Sequence, residues 1–331
     1  MPIANEDNEE WGINPARARL ARVAAFTGLK VPDDAEFLDS NSNDAWRCGD
    51  LVVRVCFRGD RERLIREASV AAALPREVLY PDIVECGRDD DLSWMFVRRV
   101  EGVALWEQSR TMPEPQLRRV VSQFAEMLRV LHAWTPPADV LSLLRDHASV
   151  AKHDADGVVG HDLLALPHRR WVPLVEAAAA MPYVDAGIVR AAAERIDELA
   201  PYDPFAGTCD SVVHGDAGFS NVLAADGRIT ALLDYEWVRL GPRDAELVSL
   251  IRQDGQWRRV PPAYPRIVPW LRADYPEMFA APDLRERVWL TELVYVLRQL
   301  VFWPPDGPVD TQVEAHPVHV LPRLVDAPWV Y

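Results

Sequence analysis

Cysteine is scarce in this sequence, and no two cysteines have the spacing of a metal or redox motif. The four residues are scattered at Cys48, Cys56, Cys86 and Cys209. Reduced thiols in a cytoplasmic protein are the simplest interpretation of this distribution.

Long apolar runs are also absent. The most apolar late segment, 294–303, is interrupted by Arg298 and Gln299 and is too short and too polar to span a bilayer. The first twelve residues, MPIANEDNEEWG, are acidic and lack an apolar core, so we expect no signal peptide. We therefore expect no membrane partner.

Positive charge is in deficit. The chain has 36 Lys and Arg residues against 51 Asp and Glu residues, which gives a formal net charge of −15. Such a balance disfavours a nucleic-acid backbone or an anionic membrane as a partner. It is compatible with a cationic small molecule, although an acidic surface also serves solubility alone.

The chain is long enough for two lobes. It has 331 residues, of which 49% are apolar and 26% charged, as in ordinary globular proteins. Periodicity predicts an N-terminal helix and a sheet of roughly five short strands with one helix packed across it in residues 1–100, and mainly helices in 101–331. The predicted strands are 36–39, 44–48, 51–56, 83–86 and 93–97, and the predicted helices are 15–28, 61–74, 113–132, 171–180, 187–199, 261–274 and 284–303. The tail, 304–331, has few periodic features.

Most of the chemistry lies in one stretch, 212–248. It reads as a strand ending at His214-Gly215-Asp216, a loop to Asn221, a hairpin at Asp226-Gly227 and a strand ending at Asp234. A carboxylate and an amide five residues apart in one loop can converge, and the second carboxylate can complete an oxygen-rich metal site. Hard oxygen ligands without histidine or cysteine favour Mg²⁺ over Zn²⁺.

Two charged residues upstream extend this site. Arg54 lies inside an apolar strand and Glu67 in the helix that follows, so the two could pair and steady bound phosphates. With the metal site, they make up the parts that phosphoryl transfer requires. The alternatives are an ordinary polar turn around Asp216, an exposed Arg54 on an edge strand and a solvated Glu67.

These motifs resemble the aminoglycoside phosphotransferase family, the small-molecule branch of the protein-kinase-like fold, and they are also similar to choline, homoserine and methylthioribose kinases. The resemblance rests on HGD and Asn221, on LLD ending at Asp234, and on upstream segments. The upstream segments are LVVRV, REA, MFVRRVEG and FAEMLRVLH. The resemblance implies an α+β, two-lobed fold in which 1–100 binds nucleotide and 101–331 carries the catalytic and acceptor sites.

The resemblance also implies a role for each residue of the donor site. Asp216 would be the catalytic base or would orient the acceptor hydroxyl, and Asn221 and Asp234 would hold Mg²⁺. Arg54 would contact the nucleotide phosphates and pair with Glu67. The remaining expectations are Ser42 and Asn43 of the turn 40–43 over the phosphates, backbone groups of Arg98 and Val100 at the purine, His214 packing the loop, and Glu246 bracing it.

Several residues depart from the family pattern, among them Gly218 in place of the common histidine and Ala217 in place of a larger apolar residue. Arginine replaces the usual lysine at Arg54, and these side chains are not interchangeable. Asp244 competes with Glu246 for the bracing role, which usually belongs to an aspartate. No glycine-rich signature marks the turn expected over the phosphates.

The acceptor site is less well specified. Glu236, two residues after Asp234, is expected to face the acceptor cleft, where it could bind a substrate amine. Other acids that could line the cleft are Asp156, Asp162, Asp254 and Glu292. We expect His132 to be structural, at the end of a helix whose dipole it favours.

The sequence therefore predicts a cytoplasmic kinase that transfers the γ-phosphoryl of ATP or GTP, with Mg²⁺, to a hydroxyl of an aminoglycoside-like or other cationic antibiotic. A metabolic kinase for choline, homoserine, a sugar or a macrolide is one alternative. A catalytically silent, kinase-like binding protein is another, and retention of Asp216, Asn221 and Asp234 speaks against it.

Overall fold

The computed structural model describes residues 12–38, 43–58, 60–109, 111–148, 171–206, 209, 211–257, 267–305 and 307–328. It has a small β-rich lobe followed by a larger, mainly helical part, which is the predicted α+β, two-lobed, kinase-like architecture. The predicted boundary near residue 100 stays a prediction. Among the described residues, no helix is both long and apolar enough to cross a membrane.

The small lobe is built on an antiparallel sheet with strand order β1-β2-β3-β5-β4. Its helices are α1 (Ile13–Thr27) on one face and α2 (Arg63–Ala71) on the other. The strands are β1 (Glu36–Leu38), β2 (Asp44–Cys48), β3 (Leu51–Cys56), β4 (Ile83–Arg88) and β5 (Ser93–Arg98).

Strand β3 lies at the centre of this sheet, and alternation along it determines where Arg54 points. Val53 and Val55 are fully buried in the core that α1 covers. Because successive side chains point to opposite faces of a strand, Arg54 lies on the α2 face. The alternative of an exposed arginine on an edge strand is therefore wrong.

The larger part surrounds α4 (Glu114–Ala133), whose apolar positions recur at helical spacing and are buried, as predicted. Helix α4 lies in a core with several shorter elements, while α6, α7, α10 and α11 share a second core. The other helices are α3 (Leu105–Gln108), α5 (Ala138–Ala148), α6 (Trp171–Ala179), α7 (Ala186–Leu199), α8 (Leu247–Trp257), α9 (Ile267–Asp274), α10 (Leu284–Phe302) and α11 (Pro317–Asp326).

Two small sheets carry the predicted catalytic stretch. One has the order β6-β8-β9 and the other pairs β10 with β7. At the β8–β9 turn Asp226 and Gly227 both have positive φ, 51° and 72°, which confirms the predicted hairpin. The strands are β6 (Val103–Ala104), β7 (Ser211–Val213), β8 (Val222–Ala225), β9 (Arg228–Leu232) and β10 (Arg239–Gly241).

Some sequence-based boundaries were wrong. The predicted strand 83–86 is too short, since Gly87 also lies within β4, opposite Trp94, where a Cβ would sit 2.7 Å from the indole. Helix α11 was not expected, because three prolines in 317–328 obscure its short apolar face of Val320, Leu321 and Leu324. The first residues of the predicted helix 261–274 lie outside the described residues, and α9 starts at Ile267.

Candidate active site

Arg54 joins three carboxylates from both parts of the chain. Its Nη1 donates to both carboxylate oxygens of Glu67, at 2.7 and 2.8 Å, and its Nη2 donates to Oδ1 of Asp234 at 2.7 Å. A longer contact of 3.4 Å reaches Oε2 of Glu236. Burial alone would lower the pKa of Arg54, but the charges of Glu67, Asp234 and Glu236 raise it well above its ordinary value. The guanidinium therefore stays charged.

Glu67 is held from several sides. Besides Arg54, it accepts hydrogen bonds from the Tyr80 hydroxyl at 2.9 Å and from the backbone N–H of Tyr235 at 3.0 Å. Its side chain has no exposed surface. Glu67 thus fixes α2 to both β3 and the segment that follows Asp234.

The His214-Gly215-Asp216 loop is shaped by its first two residues. Nδ1 of His214 accepts from the backbone N–H of Asp216 at 3.2 Å, and Nε2 lies 2.9 Å from the Leu233 carbonyl oxygen. These partners require the tautomer with its proton on Nε2. Gly215 has φ 88° and lies against Trp237, where a Cβ would come within 2.9 Å of the Trp237 Cβ. The loop is therefore tied to the β9 end that carries Asp234.

Glu246 contacts this loop from below. Its Oε1 accepts from the backbone N–H groups of His214 and Gly215, and His132 Nε2 lies 3.6 Å away. Burial would raise the pKa of Glu246, but the interaction with the neighbouring His132, with smaller contributions from His214, holds that pKa below its ordinary value. Asp244, the competing candidate, is instead bound by Arg287 at 2.7 and 3.0 Å.

Asp216 has an oriented carboxylate. Asn221 donates from Nδ2 to the Asp216 backbone oxygen at 2.9 Å and to Oδ2 at 3.1 Å. The Ser249 hydroxyl donates to Oδ1 at 3.4 Å. Burial raises the pKa of Asp216, and electrostatic interactions with His214 and Arg252 oppose that rise. Such a raised pKa suits a carboxylate that accepts a proton.

Asp234 and Asn221 have the chemistry of a hard-cation site. Asp234 adopts the left-handed conformation with φ 66°, an unusual geometry for an L residue that recurs at functional sites. Burial, followed by the charge of Glu236, raises the pKa of Asp234 well above its ordinary value. A divalent cation would relieve this crowding, and the Asn221 amide oxygen adds a second hard ligand, so both residues fit Mg²⁺.

Glu236, which was expected to face the acceptor cleft, contacts side chains of the small lobe. The residue is only 3% exposed, and its Oε2 accepts from Asn43 Nδ2 at 2.9 Å. Two arginines lie near the same oxygen: Arg63 Nε is 3.6 Å away and Arg54 Nη2 is 3.4 Å away. The carboxylate of Glu236 therefore lies against α2 and β3, between Arg54 and Arg63, and its role at the acceptor stays a prediction.

The other predicted nucleotide contacts are placed in part. Ser42, with the rest of 39–42, lies outside the described residues. Asn43 is buried between Arg63 and Glu236. The backbone N–H of Arg98 donates to the Asp82 carbonyl at 2.8 Å, so only its carbonyl oxygen could meet a purine. Val100 follows in the link between β5 and β6, and its role stays a prediction.

Several neighbours of the site were not foreseen. Tyr80, Arg63, Ser249 and Arg252 come from elements outside the catalytic stretch, so no local spacing connects them to it. His132 was expected to serve only the helix end, yet it is buried against Tyr275 and Glu246. The signal in the sequence that could have indicated this burial was the position of His132 in the last turn of an amphipathic helix. Of the other acids considered for the acceptor cleft, Glu292 pairs with Arg252, and the side chains of Asp156, Asp162 and Asp254 lie outside the described residues.

Comparison with known proteins agrees with this geometry. A model of the phosphotransferase enzyme family (APH) matches residues 34–280. Hygromycin-B 4-O-kinase of Escherichia coli is 24% identical over 244 residues, which are 71% of this chain and 63% of that protein. The chain thus spans less than two thirds of that relative's length.

Solved structures show the same fold. The GDP and kanamycin complex of APH(2")-IIia superposes with a TM-score of 0.62 at 18% identity, covering 86% of this chain and 89% of the other. A thermostable mutant of aminoglycoside phosphotransferase APH(4)-Ia, in a ternary complex with AMP-PNP and hygromycin B, gives 0.55 at 20% identity. That alignment covers 92% of this chain and 96% of the other.

Proposed function

Because the chain belongs to the phosphotransferase enzyme family, we propose that it transfers the γ-phosphoryl of ATP or GTP to a hydroxyl of an aminoglycoside-like or other cationic antibiotic. The observation that carries the proposal is that Arg54 contacts both Glu67 and Asp234. In the catalytic loop, Asn221 donates a hydrogen bond to the carboxylate of Asp216. This arrangement combines a fixed cation, a cation-binding pair and an oriented carboxylate, as phosphoryl transfer requires.

The residues have distinct tasks in this mechanism. Asp216 orients the acceptor hydroxyl and takes its proton while the oxygen attacks the γ-phosphorus in line. The bond from the γ-phosphorus to the β–γ bridging oxygen breaks, and the nucleoside diphosphate (ADP or GDP) leaves with the electron pair. Arg54 neutralises phosphate charge, and Asn221 and Asp234 would hold Mg²⁺, which supplies further charge neutralisation when bound.

The acceptor class rests on two kinds of support. Hygromycin-B 4-O-kinase and the kanamycin-bound relative both act on or bind aminoglycosides, as their names state. The formal net charge of −15 suits a polycationic acceptor. Modification of such a compound inside a cytoplasm would confer resistance to it, and the four free cysteines are compatible with that compartment.

The deciding experiment measures nucleotide consumption by the purified protein with hygromycin B, kanamycin, streptomycin, choline, homoserine and a macrolide in turn. We expect a cationic antibiotic to stimulate turnover, which Mg²⁺ removal and Asp216→Ala abolish while the variant still binds nucleotide. Stimulation by choline, homoserine or the macrolide alone would favour a metabolic kinase or another antibiotic class. A protein that binds no Mg²⁺-nucleotide in a thermal-shift assay would instead be a silent binding protein.

A further inference from the structure

Asp216 is contacted by a residue outside its own loop. Ser249 in α8 is 3% exposed, and its hydroxyl oxygen lies 3.4 Å from Asp216 Oδ1. The other carboxylate oxygen, Oδ2, accepts from Asn221 at 3.1 Å. Each oxygen of the carboxylate therefore has a separate donor, and rotation about the Asp216 side chain would break at least one of these contacts.

The Ser249 hydroxyl is itself oriented by Arg252, one helical turn further along α8. Nη2 of Arg252 donates to the Ser249 oxygen at 3.4 Å. Since that oxygen accepts from arginine, its own proton is directed toward the carboxylate.

Arg252 is anchored by α10 and cannot easily swing away. Its guanidinium carbon lies 3.5 Å from the centre of the Tyr295 ring, and its Nε lies 3.7 Å from Oε1 of the buried Glu292. A cation stacked on an aromatic ring and paired with a carboxylate loses little further freedom. The chain of contacts therefore runs from α10 through Arg252 and Ser249 to Asp216.

We propose that Ser249, oriented by Arg252, is a positioning residue that fixes the Asp216 carboxylate for attack by the acceptor hydroxyl. The inference rests on the proposed function. It assigns to α8 and α10 a part in phosphoryl transfer that Asp216, Asn221 and Asp234 alone do not supply. Misplacement of a reacting group by about 1 Å can cost up to about a hundredfold in rate, so loss of one donor is measurable.

The chain contains a matched control for this arrangement. In α4, Arg118 Nη1 donates to the Ser122 hydroxyl at 2.7 Å, and that hydroxyl donates to Asp274 Oδ2 at 2.7 Å. The same three residue types thus meet outside the active site, although there Arg118 also binds Asp274 directly, with Nη2 2.6 Å from Oδ1. Ser122→Ala removes an equivalent hydroxyl without touching Asp216.

The test compares Ser249→Ala, Ser249→Thr and Ser122→Ala with the wild type, using Mg²⁺-ATP and hygromycin B, kanamycin or streptomycin. We expect Ser249→Ala to lower kcat about tenfold with an unchanged KM for ATP and an unchanged Tm. Ser249→Thr, which keeps the hydroxyl, restores most of the rate, and Ser122→Ala has the wild-type kcat. Wild-type kcat in Ser249→Ala, or an equal loss in Ser122→Ala, overturns the inference.

A crystal structure of Ser249→Ala reads the position of the Asp216 carboxylate without relying on turnover. We expect the carboxylate to rotate or to occupy two conformers, and an unmoved carboxylate contradicts the inference. Failure of the proposed function gives a different result: wild type that consumes no nucleotide with any acceptor, or Asp216→Ala that retains turnover. The two failures are therefore separable.

Discussion

Arg54 and Asp234 lie 180 residues apart in sequence and are joined by a 2.7 Å hydrogen bond. Arg54 comes from the central strand of the small lobe, and Asp234 follows β9 of the larger part. The same guanidinium binds Glu67 through its other terminal nitrogen. One side chain therefore connects the small lobe, helix α2 and the residue expected to hold the cation, so its loss should affect both stability and nucleotide binding.

Arg54→Ala is expected to destabilise the protein and to abolish productive nucleotide binding. It would leave Glu67, Asp234 and Glu236 without their shared cation. Glu67 and Glu236 are buried, and breaking a buried pair in this way costs about 3–5 kcal/mol. Chemical denaturation measures the stability, and a thermal-shift titration with Mg²⁺-ATP measures the binding. Arg54→Lys keeps a charge but not the fork of donors, so its loss should be smaller.

The control for Arg54→Ala is Arg88→Ala. Arg88 pairs with Glu62, and both side chains are exposed, at 65% and 44%. An exposed pair of this kind contributes little to stability. Equal destabilisation of the two variants would contradict the central role given to Arg54.

Glu236→Gln is expected to weaken the use of nucleotide rather than of acceptor. Glu236 accepts a hydrogen bond from Asn43 and lies near Arg54 and Arg63, and all three of these residues belong to the small lobe. Loss of its charge leaves two buried arginines with one fewer partner, which should raise the KM for ATP and leave the KM for the acceptor unchanged. Steady-state kinetics with each substrate varied in turn measures both KM values. A rise in the KM for the acceptor alone would instead support the expected role of Glu236 in acceptor binding.

The donor half of the site could be placed from sequence because most of its parts are local. Asp216, Asn221 and Asp234 fall within one stretch of strands and tight turns, and the Asp226-Gly227 hairpin brings its ends together. Arg54 followed from its position in an apolar strand, since alternation sends it to one face. The roles assigned to these residues stay predictions until the variants are measured.

The remainder could not be predicted because it depends on contacts between distant elements. The partners of Glu236 are Asn43 and Arg63, which lie more than 170 residues earlier in the chain. The residue types can be read from the sequence, but the packing of α2 against the segment that follows β9 cannot be predicted from it. Helix α11 was missed for a local reason, since prolines within and around it masked its apolar face.

Acidification should destabilise the protein partly through Glu246. The pKa of this carboxyl is lower in the folded protein than its ordinary value, so its ionised form stabilises the fold at neutral pH. That contribution is complete above the unfolded value of about 4.3 and is lost as the pH falls through the lower folded value. Urea unfolding of wild type and Glu246→Gln measures it: the difference in unfolding free energy should shrink as the pH falls below the unfolded value.

The control for that experiment is Glu126→Gln on α4. Glu126 is 63% exposed and contacts Arg129 one turn away. Its replacement should change the unfolding free energy little at any pH, because a solvated carboxylate gains little from folding. A pH-independent difference between wild type and Glu246→Gln would show that the charge of Glu246 does not contribute.

Gly215→Ala is expected to inactivate the protein by moving the catalytic loop. Gly215 combines φ 88° with close approach to Trp237, so an added Cβ would be strained and would also collide with the Trp237 backbone. The loop must then shift, which displaces Asp216 from Asn221 and from Ser249.

Gly28→Ala separates the backbone strain from the collision, because Gly28 has φ 73° but nothing within 4 Å of a Cβ. We expect Gly28→Ala to lose only about 1 kcal/mol of stability, with wild-type kcat, whereas Gly215→Ala loses turnover. Equal kcat in both variants would mean that the contact with Trp237 does not hold Asp216 in place.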